Sequence, residues 1–290
     1  MKLQLILILI FSQFMLTFSY AADKISIGVP EFDKEINLLK SPSIAAQISR
    51  SGLVAGLTKL KNEGHIPYSL DIADNMTVSS DFSSISFRIA GGRNFNNNTP
   101  IEPIDVLYSI NRCMLDNIIE GVSNSRIEKK DDKLLSGSWV TLNFMKPSPE
   151  VSATIPVALA SCPIIDSQSS YLFGEKLGSS TMLVSSGDFA ISLFKPGRSI
   201  ELARVATQSV SKGPSSIEIR GFSDSNRALT ALRLGTVDVV FVENEDTLLR
   251  ASQDETVLIS SCLGSKIILR KGLRFKCSPT LNFESIEYVG

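Results

Sequence analysis

Residues 84–114 have the sequence SISFRIAGGRNFNNNTPIEPIDVLYSINRCM, and this stretch decides the fold class of the chain. Apolar residues occupy every second position from Ile85 to Ile89, which is the pattern of a half-buried strand. A turn rich in glycine and asparagine follows, and Pro103 suits the first position of a helix. The predicted helix has one apolar face, formed by Val106, Leu107, Ile110, Cys113 and Met114. The stretch therefore predicts a strand, a turn and a helix that packs against a sheet.

The same stretch resembles a signature of the extracellular solute-binding proteins of family five, the peptide- and nickel-type receptors of ABC importers. The positions that match the signature are Ser86, Phe87, Arg88, Ile89, Gly92, Phe95, Thr99, Pro100, Asp105, Val106, Ser109 and Arg112. Two positions differ, because Asn98 replaces a glycine of the signature and Pro103 replaces an alanine. The resemblance implies a ligand-binding protein rather than an enzyme.

Further passages resemble the family in the expected order along the chain. Residues 52–57 and 63–73 precede the signature and are similar to a family passage that leads into it. Residues 223–239 follow the signature and are similar to a helix and strand of the family. They also predict a helix on their own, which Gly235 ends by adopting a left-handed conformation. Matches in this order argue against chance agreement.

The candidate ligand-binding residues come from the resemblance, and they are Ser186, Gly187, Asp188 and Phe189. They belong to a passage that stands where the family carries a glycine-rich motif beside its interlobe cleft. A predicted β-hairpin follows, although the proline and one glycine of the family motif are replaced here. The resemblance implies contacts with a solute at this position, largely through main-chain groups. The alternative is an ordinary loop between two strands.

The fold class follows from the alternation of strands and helices, which indicates an α/β domain with a mixed sheet. The elements that show this alternation are residues 24–29, 44–53, 85–89, 103–114 and 140–144. Members of the family are longer and close two lobes around their ligand. The resemblance therefore implies that residues 22–290 form one lobe of a class II periplasmic-binding-protein fold. We expect this lobe to be truncated relative to the family, without a counterpart of the second lobe.

The amino-terminal residues 1–21 have the features of a secretory signal peptide. Lys2 supplies the charged start, residues 3–16 form an apolar run, and small residues surround Ala21. We expect cleavage after Ala21 and a mature protein that is periplasmic or secreted. The alternative is an uncleaved membrane anchor, which polar residues within an already short apolar span disfavour.

An exported chain with four cysteines can form two disulfides, and the cysteines are Cys113, Cys162, Cys262 and Cys277. Three pairings are consistent with the sequence. A bridge between Cys262 and Cys277 is favoured, because these residues flank two strand-like runs, 267–269 and 273–275, that would form a hairpin. The alternative is buried free thiols, since Cys113 lies on the apolar face of its predicted helix.

The sequence offers few residues for catalysis or metal binding. His65 is the single histidine, which excludes a histidine-rich metal site, and its turn favours an exposed side chain. Carboxylates cluster at residues 131–132 and at Glu243, Glu245 and Asp246, where we expect solvated polar loops. No glycine-rich phosphate-binding motif occurs. We therefore expect no catalytic residue, no metal and no cofactor.

The charge of the chain is nearly balanced, with 29 Lys and Arg against 30 Asp and Glu. This balance gives no electrostatic footprint for nucleic acid or for an anionic membrane surface. We expect an extracytoplasmic protein that binds oligopeptides or similar small solutes and delivers them to an ABC permease. The alternative, from a different class, is a degenerate module of the same family that no longer binds solute and has a structural or protein-interaction role.

Overall fold

The structure is a computed structural model of the 290-residue chain. It describes residues 24–34, 37–61, 65–89, 91–130, 137–178, 183–205, 213–277 and 281–288. The predicted signal peptide and the carboxylates at 131–132 lie outside the described residues. Within the described ranges, no helix has the length and apolar character that a bilayer span requires.

Each of the five stretches that predict the alternation of strands and helices is an element of the structure. The α-helices are α1 Ile44–Leu53, α2 Pro103–Leu115, α3 Pro149–Leu159, α4 Ser167–Phe173, α5 Ser225–Arg233 and α6 Glu245–Ser252. The first strands are β1 Lys24–Pro30, β2 Thr58–Leu60, β3 Tyr68–Leu70, β4 Ala73–Val78, β5 Ser84–Ile89, β6 Val122–Lys130 and β7 Gly137–Phe144. The later strands are β8 Phe189–Lys195, β9 Ser199–Arg204, β10 Ser216–Phe222, β11 Val239–Val242, β12 Val257–Cys262, β13 Ser265–Arg270, β14 Leu273–Cys277 and β15 Leu281–Tyr288.

The larger sheet has seven strands in the order β12-β13-β11-β1-β10-β9-β8. The central strand β1 pairs in parallel with both β10 and β11, whereas the outer strands pair antiparallel. The expectation of a mixed sheet in an α/β domain is therefore confirmed. Helix α1 and the hairpin β14–β15 cover one face of this sheet, and α5 and α6 cover the other.

The smaller sheet has four antiparallel strands in the order β4-β5-β7-β6. Its inner face carries Ile85 and Phe87 of β5, both fully buried against α2 and α3. Helix α2 begins at Pro103, as predicted, and its first turn is closed by reciprocal bonds between Glu102 and Asp105. The residues in register across this sheet build a second core, separate from that of the larger sheet.

Helix α5 and its end confirm the prediction made for residues 223–239. The helix buries Leu229 and Leu232, and Gly235 follows it with a φ angle of +72°, which is the left-handed conformation. Val237 is also buried, in the core that α5 and α6 form on the larger sheet. Each of these residues thus has the environment that its spacing in the sequence predicts.

All four cysteines form disulfides, Cys113–Cys162 and Cys262–Cys277, so the alternative of free thiols is wrong. The favoured bridge is present, but the reason given for it needs correction. The run at 267–269 lies in β13 and pairs with β11 and β12, whereas the run at 273–275 lies in β14 and pairs with β15. The bridge therefore joins two sheets and does not clip a single hairpin.

Candidate functional site

An open cleft of about 380 Å³ lies where the two cores meet. Three segments cross from one core to the other beside it: Leu53 to Ala55, Ile164 to Ile165, and residues 184–189. The residues that line the cleft are Gln47, Arg50, Ser51, Val54, Ala55, Gly56, Thr58, Lys59, Leu60, Asp71, Arg93, Ala160, Ser161, Cys162, Pro163, Gly187, Asp188, Leu263 and Leu281.

The three crossing segments are joined to one another by hydrogen bonds. The Ser186 hydroxyl donates to the carbonyl oxygen of Ile164 at 2.6 Å and accepts from the amide of Ala55 at 3.0 Å. The amide of Ile164 donates to the carbonyl oxygen of Ala55 at 2.9 Å, which closes a small ring of bonds. Because Ser186 is fully buried, these bonds are shielded from water and hold the cleft walls together.

Gly187 brings its backbone against the carboxyl end of α1. Its amide donates to the carbonyl oxygen of Leu53 at 3.0 Å. A Cβ atom at position 187 would overlap the carbonyl oxygen of Gly52 and crowd the backbone of Leu53 and Val54. Glycine is therefore required by this close approach, which places residue 187, itself buried, in the lining of the cleft.

Asp188 presents a carboxylate to the cleft from a backbone that is held in place. Its carbonyl oxygen accepts from the amide of Val205 at 2.9 Å, and its side chain is half-buried. The next residue, Phe189, is buried with its ring 5.5 Å from that of Phe283. Among the residues that the structure describes, none forms a salt bridge or side-chain hydrogen bond with the Asp188 carboxylate.

The four residues predicted from sequence to bind a ligand therefore fall into two groups in the structure. Gly187 and Asp188 line the cleft, whereas the side chains of Ser186 and Phe189 are directed into the interior and support the loop from behind. These positions explain how one short passage contributes both a surface and its anchors. The assignment of the four residues to ligand binding stays a prediction.

Helix α2 anchors the segment at residues 162–167, the first part of which lines the cleft, through residues spaced four apart. The Asp105 carboxylate accepts from the amide and hydroxyl of Ser167, at 3.0 and 2.7 Å. The Ser109 hydroxyl accepts from the amide of Ile165 at 3.0 Å, and one turn later Cys113 is bonded to Cys162. Since i and i+4 positions lie on one helix face, these contacts hold residues 162–167 as a unit.

The cleft contains charges of both signs. Arg50, Lys59 and Arg93 contribute cations, and Asp71 and Asp188 contribute anions. Arg93 and Asp71 are paired at 3.2 Å, so their charges largely offset each other. Burial, with a further effect of the nearby Arg112 charge, lowers the pKa of the Arg50 guanidinium. The cleft therefore suits a polar or charged solute better than an apolar one.

Two walls of the cleft were not anticipated from sequence. One is the face of α1 that carries Gln47, Arg50 and Ser51, with Val54 directly after the helix. The spacing of the three helical residues identifies a single face but not what lies opposite it. The other is residues 160–163, which follow α3 in an irregular segment. Only the contact between the two cores brings these walls together.

The other candidates from sequence lie away from the cleft. His65 is exposed, as expected, and does not line it. Glu245 and Asp246 are exposed, but they form the first turn of α6 and not the loop that was expected. In the part of the chain that the structure describes, no group of three or more metal-ligating side chains comes together.

The sequence matches a known protein family over most of its length. Residues 68–267 match the family model described as bacterial extracellular solute-binding proteins, family 5 Middle. No curated protein sequence matches the chain significantly.

Solved structures of similar fold come from several bacteria. MoaA of A. tumefaciens R10, in complex with mannopinic acid, aligns with a TM-score of 0.69 and 14% identity over 83% of this chain and 50% of that chain. AppA of Bacillus subtilis, in complex with a nonapeptide, gives 0.66 and 17% over 83% and 48%. NikZ of Campylobacter jejuni, in complex with Ni(L-His), gives 0.64 and 18% over 83% and 48%.

The chain spans about half the length of these solved relatives, and the matched half is consistent with a single lobe. At these identities the likeness shows the fold alone. The family itself is shown by the match to residues 68–267, which includes the signature, the loop at 186–189 and helix α5. This chain belongs to the bacterial extracellular solute-binding proteins of family 5.

Proposed function

We propose that the chain captures an oligopeptide or a similar small solute outside the cytoplasm for an ABC importer. The observation that supports this proposal is the cleft at the three crossings between the cores, in a chain of a solute-binding family. Solved relatives of the same fold are in complex with a nonapeptide and with mannopinic acid. The role is binding and delivery, with no chemical step.

In this proposal the four predicted residues have two different tasks. Gly187 and the carboxylate of Asp188 contact the solute, since both residues line the cleft. The Asp188 carboxylate would accept hydrogen bonds from an ammonium or amide group of a peptide. Ser186 and Phe189 keep this surface in place through the buried contacts described above.

The proposal includes a location and a partner. Residues 1–21 act as a signal peptide that is cleaved after Ala21, and residues 22–290 form the mature lobe. The mature protein is periplasmic or secreted and transfers its solute to the permease of an ABC importer. Membership in an extracellular family supports this location.

Thermal denaturation with a mixed pool of tri- to pentapeptides tests the proposed function. A receptor is stabilised by ligand as the concentration rises, by about 5 °C or more at a hundredfold excess over Kd. The peptide of the pool that stabilises the chain most is the selected peptide. Asp188→Asn should weaken binding of this selected peptide by about tenfold, because a charge-assisted hydrogen bond is lost. Asp33→Asn is the matched control, since Asp33 is exposed and does not line the cleft.

The alternative function is a structural or protein-interaction module derived from the family. The specific observation in its favour is that the cleft is open to solvent in a chain that spans half the length of its solved relatives. An open site leaves part of a ligand in water and reduces affinity. If the peptide pool gives no concentration-dependent stabilisation, the proposed receptor function is rejected and this alternative is favoured.

A further inference from the structure

Arg50 is a cation that the protein holds at the cleft by uncharged groups. Its Nε atom donates to the carbonyl oxygen of Leu38 at 2.9 Å, and its Nη2 atom donates to that of Ser41 at 2.9 Å. Both carbonyls belong to the segment between β1 and α1. These bonds orient the guanidinium and satisfy part of its hydrogen-bonding capacity, but they do not neutralise its charge.

No salt bridge in the described part of the chain includes Arg50. Of the two carboxylates that line the same cleft, Asp71 is engaged by Arg93 and Asp188 is not within ion-pair distance of any described cation. The neighbouring charge is instead the like charge of Arg112, which itself contacts Asp116 at 3.5 Å.

A partly buried cation without an anionic neighbour is costly, because burial removes water without supplying a counter-charge. Such a group becomes favourable when a bound anion supplies the missing charge, and a guanidinium suits carboxylate and phosphate through parallel hydrogen bonds. Arg50 shares its helix face with Gln47 and Ser51, and these residues border the cleft together with Val54, which follows the helix. An anion bound there would also meet the polar side chains of Gln47 and Ser51.

We propose that Arg50 binds an anionic group of the solute, a carboxylate or a phosphate, and thereby selects solutes that carry one. The inference rests on the proposed function, since it concerns the same cleft. It adds the chemical class of one end of the solute and the residue that recognises it. Asp188, in the same cleft, would then face a different part of the solute.

The test compares trialanine with trialanine amide, because the two peptides differ only in the charge at the carboxyl end. Isothermal titration of the oxidised wild-type chain should show trialanine binding about tenfold or more tightly. Arg50→Gln should abolish this preference by removing the charge, and Arg50→Lys should retain part of it. Arg227→Gln is the control, since Arg227 is an exposed arginine on α5 that does not line the cleft.

The outcomes separate the inference from the function on which it rests. Equal affinity of the wild-type chain for the two peptides overturns the inference and leaves the receptor function in place. Binding of no peptide, in the pool or alone, overturns both. This comparison uses the wild-type chain, so it decides even where Arg50→Gln fails to fold. Inorganic phosphate that competes with trialanine in the wild-type chain, and binds Arg50→Gln at least tenfold more weakly, would support the inference and show that the site accepts phosphate as well as carboxylate.

Discussion

Glycine permits the closest approach between chain segments at the cleft. At position 187 the main chain lies against the last turn of α1, and at position 56 a Cβ atom would meet the carbonyl oxygen of Leu159 at 2.6 Å. Neither position can carry a side chain without moving a backbone segment. Gly187 and Gly56 both line the cleft, so the absence of a side chain shapes the site directly.

Replacement of Gly187 by alanine should therefore destabilise the chain and weaken solute binding together. Overpacking against immovable backbone costs about 1–3 kcal/mol, and the shift of α1 would displace the Arg50 face. Urea denaturation gives the free energy of unfolding, and titration with the selected peptide gives the affinity. Gly91→Ala is the matched control, because a Cβ atom there meets nothing within 4 Å and its change in stability should stay within about 1 kcal/mol. Unchanged stability of Gly187→Ala would contradict the close approach.

Among the elements, the pattern of residues on α2 has a structural explanation. Asp105, Ser109 and Cys113 are spaced four apart on one face and together hold residues 162–167. These three residues of α2 thus position a cleft wall without lining the cleft themselves, whereas Cys162, the disulfide partner of Cys113, does line it. The disulfide Cys262–Cys277 also lies beside the cleft. Leu263 follows Cys262 in the chain and Leu281 pairs with Cys277 across the β14–β15 hairpin, and both leucines border the cleft.

The two disulfides should contribute differently to stability. The chain-entropy model gives about 4 kcal/mol for the bridge Cys113–Cys162, which is 49 residues apart, and about 3 kcal/mol for Cys262–Cys277, which is 15 apart. Urea denaturation of the two double Cys→Ser variants measures this difference, and each variant is the control for the other.

The first of these variants also tests whether the bridge Cys113–Cys162 shapes the cleft. We expect the Cys113→Ser/Cys162→Ser chain to bind the selected peptide more weakly under conditions where it is still folded, since the wall at 160–163 loses its covalent tie to α2. An affinity equal to that of the wild-type chain would show that the hydrogen bonds of Asp105 and Ser109 suffice.

The molecule as a whole contains two cores that meet at the cleft. The larger sheet with α1 forms one core and the smaller sheet with α2 and α3 forms the other. Their junction consists of three crossings that are hydrogen-bonded to one another around the buried Ser186. The cleft therefore exists only when both cores are folded and docked.

Unfolding should accordingly be a single cooperative transition. Trp139 is the one tryptophan of the chain, and it is buried in β7 of the smaller sheet, so its fluorescence reports on that unit. Far-ultraviolet circular dichroism reports on both units. In a urea titration the two signals should give the same midpoint, because the buried junction couples the cores. Two separate midpoints would show that the cores unfold independently.

Local chemistry was sufficient for several of the elements. The alternation in β5, the proline at the start of α2 and the glycine after α5 each act through neighbouring residues, so their structures follow from short stretches. The carboxylates at Glu245 and Asp246 instead begin an eight-residue helix that buries only Thr247 and Ala251, so the local pattern does not distinguish this helix from a polar loop. Short amphipathic patterns are ambiguous without a neighbouring surface.

The sequence by itself determined the α/β class, the family signature and the location of the loop at 186–189, since periodicity, turn chemistry and motif order are properties of consecutive residues. Tertiary structure alone decided which of those loop residues reach the cleft and which are buried, and it brought the Arg50 face of α1 opposite residues 160–163. It also decided that Cys262 and Cys277 join two sheets. These features depend on contacts between segments more than a hundred residues apart or in different sheets, and no local pattern encodes them.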